Sequence, residues 1–448
     1  MKNSLIIVCL VALVSAPILA GCASNSTTPT PTPSTSTTAT PTTTATPSST
    51  PTPTVTPPAT GGKLELKMGV MMPLTGALNT LGPDMQKGAQ LAIKEINDAS
   101  ATTGLHITEY DEDDKTTDSA GAPNTLARLV GNGVTVVAGP CCSGVTAAIL
   151  DKAIESGVVI SSPSATSPSL TLSRDNQGYF WRVSPSDAVQ GKVLANVVKD
   201  DSIASVAMIY VNNAYGTGLK TVFTDSFGAS KVLGTPQAYN EVNSGDFSAQ
   251  VTAVCGTSAQ GLVIFGYITD GANMLKEMSK QGCLSKFKIY GSEGLYNSAT
   301  DKGLPATAGK DSAGNFLANG VKGTNPESGN TTVFNAKFKA AYSHDPAQYS
   351  AESYDAVMYL ALGALKAGSV KAADIKEHML EIANAPGTKC SSFAACATLI
   401  KTGADVDYQG AAHDFEFDAN HEPKTGIYDV WQVQSDGTTK IVATGKSA

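Results

Sequence analysis

The stretch GPCCSGVT, Gly139–Thr146, decides the fold of this chain. The apolar run 134–138 precedes it and is typical of a buried strand, whereas residues 147–154 have the apolar spacing of a helix. The chain therefore turns at the carboxyl end of a strand and enters a helix with Ser143 at or near the N-cap. Since N–H groups at a helix N-terminus have no intrahelical partner, this turn is a candidate site for a small anion such as a carboxylate.

A second hydroxyl-rich loop, SSPSATSP at 161–168, follows the next apolar run, 158–160. In a parallel sheet the carboxyl ends of successive strands open on the same crevice, so we expect both loops to face one ligand site. The alternative interpretation is that both loops are ordinary N-capped connections between a strand and a helix.

Composition and charge limit the classes of function. The chain has 448 residues, enough for two or three domains, with 31 basic and 39 acidic residues. No basic patch indicates nucleic acid as a partner, and the five histidines are scattered, so neither a metal nor a cofactor is expected. The acidic run 111–114 is interpreted as a solvated exit from a strand rather than a metal site.

The N-terminal 62 residues precede the folded part of the chain. Residues 5–16 form an apolar segment too short for a comfortable membrane span, and LAGC at 19–22 resembles a lipobox. This pattern predicts a lipoprotein signal peptide at 1–21 and a lipid anchor on Cys22; an ordinary secretory signal is the alternative. Both predict export. Residues 22–62, rich in Thr and Pro, are expected to form a tether without a core.

Cysteine usage agrees with export, because exported proteins form disulfides. Six of the eight cysteines remain once the signal peptide and the lipid anchor are set aside. Cys255 with Cys283, and Cys390 with Cys396, are the natural close pairs. Cys141 and Cys142 form a strained vicinal disulfide, remain thiols, or pair with other cysteines. The sequence does not decide among these alternatives.

From Lys63 onward, strand and helix patterns alternate, which favours an α/β fold with two doubly wound, Rossmann-like lobes joined by a multi-strand hinge. We expect lobe 1 at 63–186 plus 320–413, and lobe 2 at 187–319 plus 414–448. The predicted strands are 64–72, 106–110, 134–138, 158–160, 205–211, 231–239, 261–267, 287–290, 414–417 and 427–433. The predicted helices are 83–97, 120–130, 147–154, 191–198, 216–227, 247–253, 272–280, 332–342, 352–367 and 372–382.

An ordered set of short motifs then resembles one family over residues 63 to about 439. The motifs are GVMMPLTG at 69–76, GAQLAIKEIN at 88–97, SPSATSP at 162–168, YGTG at 215–218 and GSEG at 291–294. They are similar to those of type I periplasmic substrate-binding proteins, in particular the leucine/isoleucine/valine-binding group of ABC importers. The resemblance implies capture of an amino acid between two lobes that close by a hinge, without catalysis, and delivery to a membrane permease.

The resemblance also implies roles for individual residues. Ser143 corresponds to the residue that holds the ligand carboxylate, Thr166 to one that serves both carboxylate and ammonium, and Ser164 offers its carbonyl to the ammonium. Glu293 corresponds to the counter-charge of the ammonium. The remaining expected contacts are the second-lobe aromatics Tyr215 and Tyr267, and a polar position at the first crossover, Asp187.

Departures from the family pattern leave the ligand side chain open. Leu81 stands where an aromatic residue often lines the pocket, and Tyr349 falls where an aromatic residue can line it. A family member pairs a cysteine at the position of Cys142 with one in the loop near Lys115 and Thr116, and this chain has none there. Amides, urea and aromatic acids are the alternative ligands.

Other classes of function remain to be weighed. A ligand-sensing subunit of a receptor is the alternative to a transport role. An enzyme is not expected, because Ser143 lacks the Gly-x-Ser-x-Gly context of a hydrolase nucleophile. The protein is expected to be an exported monomer, held by lipid at a membrane and facing the periplasm or the cell exterior.

Overall fold

The computed structural model describes residues 63–116, 119–172, 175–240, 245–297, 303–327, 329, 331–414 and 416–448. These residues belong to one compact unit, Thr56–Ala448. The predicted signal peptide, the lipid anchor on Cys22 and the tether lie outside the described residues.

The strands, in chain order, are β1 (Leu64–Met72), β2 (Leu105–Asp113), β3 (Val136–Ala138), β4 (Val159–Ser162), β5 (Phe180–Arg182), β6 (Val206–Val211), β7 (Gln237–Tyr239), β8 (Gly261–Phe265), β9 (Lys288–Gly291), β10 (Lys322–Pro326), β11 (Thr388–Cys390), β12 (Val406–Tyr408), β13 (Tyr428–Val433) and β14 (Thr439–Lys446). The helices are α1 (Gly82–Asp98), α2 (Ser100–Thr103), α3 (Ala122–Gly131), α4 (Ser143–Ser156), α5 (Asp187–Asp200), α6 (Ala214–Phe227), α7 (Ser248–Cys255), α8 (Ile268–Lys280), α9 (Leu304–Ala308), α10 (Thr332–Tyr342), α11 (Ser350–Ala367), α12 (Ala372–Ala383) and α13 (Phe393–Lys401).

The first lobe is built on a five-stranded parallel sheet with the order β2-β1-β3-β4-β5. Helices α1 and α11 pack together on this sheet, as do α3 and α4. Helix α11 is buried from Ser350 to Leu365, so the sheet is covered as a parallel sheet must be. All five strands run in the same direction, and their carboxyl ends therefore meet at one edge.

The second lobe is built on a seven-stranded sheet with the order β14-β13-β10-β9-β8-β6-β7. Strands β6 to β10 pair in parallel, whereas β13 runs antiparallel to β10 and β14 runs antiparallel to β13. A separate pair of short strands, β11 and β12, is also parallel. The alternation of strands and helices in both lobes confirms the predicted doubly wound α/β class.

The chain passes between the two sheets three times. It leaves the first sheet after β5, returns to the first lobe after β10, and enters the second sheet again at β13. The cleft that separates the two lobes therefore lies beside these connecting segments. Three crossing segments are also the expected form of a hinge about which the lobes close.

Two predicted strands were wrong in whole or in part. In the predicted strand 231–239, Gly234 has φ +73°, and Pro236 has no N–H to donate to a neighbouring strand. Only the last three residues, β7, therefore form a strand. At 414–417, Phe417 makes an isolated bridge to Pro423, and its ring packs against Trp181 and Tyr359 instead. The apolar residues there reflect core packing; Phe415 is outside the described residues.

The boundary expected near residue 320 is also corrected. The sequence predicts residues 322–326 in lobe 1, but they form β10 between β9 and β13 of the second sheet. Their sequence, KGTNP, contains Gly, Asn and Pro and gives no strand signal. Strands β5, β11, β12 and β14 and helix α13 were missed as well. Each of these strands except β14 is three residues long, and β14 is a largely exposed edge strand.

Disulfides join Cys255 to Cys283 and Cys390 to Cys396, and Cys141 and Cys142 are in neither of them. Within the described ranges, no single helix is both long and apolar enough to cross a membrane. Helices α11 and α12, bent by 106° where they meet, pass the same test of length and composition when they are taken together.

Candidate functional site

The loop between β3 and α4 forms the first wall of the cleft. Gly139 has φ +114°, and a Cβ there would lie 2.1 Å from the carbonyl oxygen of Met71, so the turn requires glycine. Cys142 is the N-cap of α4 with extended backbone angles, and Ser143 is the first helical residue. Because no side chain of the described residues caps this N-terminus, its first N–H groups are available to an anion.

The Ser143 hydroxyl joins the two loops that the sequence predicted to be neighbours. Its Oγ accepts a hydrogen bond from the backbone N–H of Ser167 at 3.1 Å, and both residues are buried. Ser143 thus fixes the distance between the helix N-terminus and the second loop.

The second loop is held by its own serines. Ser164 Oγ donates to the carbonyl oxygen of Cys141 at 2.9 Å, and Ser162 Oγ accepts from the N–H of Ala165 at 2.9 Å. Thr166 is fully buried, and its Oγ1 donates to Asp187 Oδ2 at 3.0 Å. The loop therefore has a fixed shape at the point where it approaches the second lobe.

Arg182 supports this loop from behind, a role that the sequence did not reveal. Its guanidinium is fully buried and donates to the carbonyl oxygens of Ala165 (3.0 Å) and Ser167 (2.9 Å). It also pairs with Glu422, which lies in the last segment that crosses between the lobes. One charged side chain thus joins the ligand loop to the crossing segment.

The second wall of the cleft comes from the second lobe. Tyr215 and Tyr267 stack with ring centroids 5.7 Å apart and an interplanar angle of 10°. The Tyr215 hydroxyl lies 2.6 Å from Ser292 Oγ and accepts from the N–H of Gly294 at 3.3 Å. Asn213 Nδ2 donates to the Tyr267 hydroxyl at 3.0 Å. Hydrogen bonds to the two hydroxyl groups therefore fix the orientation of both rings.

Glu293 and Asp187 are a pair of buried acids at the crossing between the lobes. Glu293 begins the short 3-10 helix after β9 and is 5% exposed, and Asp187 begins α5 and is fully buried. Burial raises the pKa of Glu293 to about 7. Burial also raises the pKa of Asp187 well above its usual range, and the negative charge of Glu293 raises it further.

The surroundings of these acids contain little positive charge. Among the ion pairs of the described residues, none includes Asp187 or Glu293, and Asp187 Oδ1 has no hydrogen-bond partner there. Arg182 lowers the pKa of Asp187, but its charge is already paired with Glu422. Because a buried carboxylate without a counter-charge is costly, this part of the cleft favours a cation.

Gln190 is a further site residue that sequence reasoning missed. Its Nε2 donates to Glu293 Oε2 at 2.6 Å and to both oxygens of Thr324 at 3.2 Å. It lies three residues after Asp187 on α5, so the two side chains share one face of the helix. This three-residue separation from Asp187 is the sequence feature that could have identified Gln190 as a site residue. The contact with Thr324 depends on β10, which the sequence did not predict.

A cavity lies between these walls, and its empty space, open solvent included, is about 380 Å³. Five of the seven predicted ligand residues line it: Ser143, Ser164, Tyr215, Tyr267 and Glu293. Thr166 and Asp187 are not in the lining and lie buried behind it. The remaining lining residues are Leu78, Leu81, Cys141, Cys142, Gly294 and Tyr349.

Tyr349 has a backbone conformation that is rare for its residue type. It has φ +65°, in the left-handed region, and stands immediately before α11. Its hydroxyl is buried and lacks a hydrogen-bond partner among the described residues. Together with Leu78 and Leu81 it gives the cavity an apolar part beside the charged one, as an amino acid with an apolar side chain would need.

Comparison with known proteins places the chain in a family. The profile of a periplasmic binding protein family matches residues 65–438. The chain belongs to the type I periplasmic binding proteins, the class of proteins that the sequence motifs resembled. Three of the four proteins compared below are named as substrate- or solute-binding proteins.

Among curated relatives, the Leu/Ile/Val-binding protein homolog 3 of Brucella melitensis is 31% identical over 246 residues. That match covers 53% of this chain and 64% of the relative, so it spans less than two thirds of the relative's length. The chemotactic signal transduction system substrate-binding protein BasB of Halobacterium salinarum is 24% identical over 390 residues, covering 84% of this chain and 90% of BasB.

Among solved structures, the branched-chain amino acid transporter substrate binding protein LivJ of Streptococcus pneumoniae, in complex with isoleucine, superposes with a TM-score of 0.68. It is 25% identical, and the match covers 86% of this chain and 100% of LivJ. A solute binding protein from R. palustris in complex with benzoate has a TM-score of 0.65 at 18% identity, covering 86% and 97% of the two chains. The fold alone therefore does not identify the ligand.

Proposed function

We propose that this protein captures an α-amino acid with a branched-chain or other apolar side chain in the cleft between its lobes and delivers it to the permease of an ABC importer. The arrangement that carries the proposal is the cavity itself. It brings together the helix N-terminus at Ser143, which no side chain in the described part of the chain caps, and the buried acid Glu293. An anion-binding end, a cation-binding end and an apolar wall together match the three parts of such an amino acid.

Capture proceeds without catalysis. The ligand carboxylate meets the N–H groups of α4 and the Ser143 hydroxyl, while its ammonium supplies the positive charge that Glu293 and Asp187 lack. Ligand contact with Tyr215 and Tyr267 stabilises the closed arrangement of the lobes. Closure then shifts the population toward the form that a permease recognises.

Calorimetric titration tests this proposal. The protein is unfolded and refolded to remove bound ligand, and then titrated with the twenty amino acids, urea, short amides and benzoate. We expect binding at micromolar concentration or tighter to one or a few apolar amino acids, in the range typical of specific small ligands. Binding to benzoate alone would contradict the role given to Glu293, and binding to amides alone would contradict the roles given to both Glu293 and Ser143.

Replacing Ser143 with Ala is expected to weaken amino acid binding by about 1–3 kcal/mol. The hydroxyl is lost both as a ligand contact and as the acceptor for Ser167, whereas the N–H groups of α4 remain. The dissociation constant measured by calorimetry checks this expectation. Ser156→Ala, at the other end of the same helix, is the matched control and should bind like the unchanged protein. Equal affinities of the two variants would remove Ser143 from the site.

A sensory role is the second candidate function. The match to BasB, a binding protein of a chemotactic signal transduction system, extends over 84% of this chain and favours it specifically. The two roles are separated in cells that lack the gene for this protein. Loss of uptake of the labelled ligand supports transport, whereas normal uptake with loss of the response to that ligand supports sensing.

We also propose that Cys22 carries a lipid that keeps the protein at a membrane facing the periplasm or the cell exterior. The support is the LAGC sequence that follows the apolar segment 5–16. Cys22→Ser should release the protein from the membrane fraction into the soluble fraction, because no acyl chain can then attach. Retention of the variant in the membrane fraction would contradict the anchor. Cys390→Ser, which leaves the N-terminal segment unchanged, is the control.

A further inference from the structure

Two thiols and a carboxyl group come together at the floor of the cleft. Cys141 Sγ, Cys142 Sγ and a carboxylate oxygen of Asp114 all lie within 4.8 Å of one another. The three residues are 2%, 4% and 2% exposed, respectively. Nothing in the sequence indicates this cluster, because Asp114 precedes Cys141 by 27 residues and belongs to the acidic run expected to be a solvated exit.

The topology of the first sheet explains the cluster. Asp114 follows β2, and Cys141 follows β3; both strands flank β1 and run in the same direction, so their carboxyl ends lie side by side. Asp114 Oδ2 accepts from the N–H of Cys141 at 2.9 Å, and Oδ1 accepts from the N–H of Thr116 at 2.9 Å. The carboxyl group is thereby fixed in orientation, and each of its oxygens keeps a second lone pair.

The separations suit one small metal ion. A tetrahedral zinc site has Zn–S bonds of about 2.3 Å and Zn–O bonds of about 2.0–2.2 Å, which place two ligand sulfurs about 3.8 Å apart. Donor atoms that already lie within 4.8 Å need to move little to reach that geometry. Thiolates prefer soft or borderline cations, which excludes Mg²⁺ and Ca²⁺ as natural occupants.

We propose that Asp114, Cys141 and Cys142 form a binding site for a thiophilic divalent cation of the zinc type. On binding, each thiol loses its proton to the solvent and forms a metal–sulfur bond, and the Asp114 carboxylate forms a metal–oxygen bond. No electron is transferred. The two thiolates and the carboxylate carry three negative charges, and the cation offsets two of them, which is what makes the buried cluster tolerable.

The fourth coordination position faces the cleft. Cys141 and Cys142 line the same cavity as Ser143, so a water molecule or a ligand carboxylate can occupy that position. Ser164 Oγ, which donates to the carbonyl oxygen of Cys141, also lies 3.1 Å from Cys141 Sγ, so the second loop is in contact with the thiol. The proposal does not depend on the amino acid function, because metal binding is measured directly.

The test uses the full chain, kept reduced with a phosphine, and Cd²⁺ as the probe. Bound metal per chain is counted by equilibrium dialysis, and thiolate coordination is followed by the ultraviolet charge-transfer absorption of cadmium–sulfur bonds. The double variant Cys141→Ser/Cys142→Ser retains the other six cysteines, so the Cd²⁺ that it binds measures the binding by those cysteines. We expect the unchanged protein to bind one more tightly held Cd²⁺ per chain than the double variant, with a matching gain in absorption.

A second pair of variants tests the carboxyl group. Asp114→Asn should weaken binding of the additional Cd²⁺ at least about tenfold, whereas Asp113→Asn, at the neighbouring and more exposed acid, should leave it unchanged. Melting curves with and without Cd²⁺ show whether each variant is folded. The site is refuted if the unchanged protein and the double serine variant bind the same number of ions, which is also the result that a Cys141–Cys142 disulfide would give.

Discussion

Glu293→Gln is expected to weaken amino acid binding by about 2–5 kcal/mol, a loss of roughly 30-fold to several thousand-fold in affinity. Glu293 is 5% exposed, and its Oε2 already accepts a hydrogen bond from Gln190. Glutamine keeps the shape and can accept that hydrogen bond, but it has no charge for the ligand ammonium. The dissociation constant from calorimetry, measured on refolded protein, checks the expectation.

The matched control is Asp225→Asn, which changes the net charge by the same amount at an exposed position of α6. It should bind with the affinity of the unchanged protein, since an exposed charge is screened by solvent and salt. If Glu293→Gln and Asp225→Asn gave the same affinity, the ammonium would have to be bound elsewhere in the cleft.

Amino acid affinity is expected to fall by about tenfold for each unit of pH below about 7, and so by about 100-fold at pH 5. Burial raises the pKa of Glu293 to about 7, so at lower pH the free protein holds a proton there. The ligand ammonium requires the ionised form, and binding below that pH must therefore release the proton. Above pH 7 the carboxyl group is already ionised, and the affinity should be nearly constant. Titrations from pH 5 to pH 8 measure this profile.

Several other groups face Glu293, and a variant separates their contributions. Asp187 and the hydroxyls of Tyr215 and Tyr349 also have raised pKa values because they are buried. In Glu293→Gln the fall in affinity below pH 7 should be largely lost. A variant with the same slope as the unchanged protein would assign the proton to another group, with Asp187 the first to examine.

The stability of the ligand-free protein should depend on pH with the opposite sign. A buried acid whose pKa is raised binds more protons in the folded state than in the unfolded state. The contribution of Glu293 therefore stabilises the fold at low pH, and it is lost as the pH rises from about 4.3 through about 7. Ligand binding supplies the missing positive charge at neutral pH.

The sequence predicted the parts of this molecule that are determined locally. The turn at Gly139–Thr146 follows a buried strand and opens a helix, and those features appear directly in composition and spacing. The lengths and order of most helices follow from apolar periodicity, as for α10 at Thr332–Tyr342. The parallel pairing of β3 with β4 could be predicted because a single short helix connects the two strands.

Other parts depend on contacts between distant segments, which a single sequence does not show. Strand β10 forms because β9 and β13 flank it, although its own residues have poor strand propensity. Gln190 contacts Glu293 across 103 positions, and Arg182 pairs with Glu422 across 240. The cluster of Asp114 with Cys141 and Cys142 likewise depends on the strand order of the first sheet.

The central claim is that the cleft binds both ends of an α-amino acid at once, and ligands that lack one end test it most directly. The refolded protein is titrated with its best amino acid, with the same acid without its amino group, and with the corresponding primary amide. We expect each truncated ligand to bind at least about 30-fold more weakly, because each leaves a buried site of opposite charge without a partner. Binding of the acid without its amino group at full affinity would contradict the account.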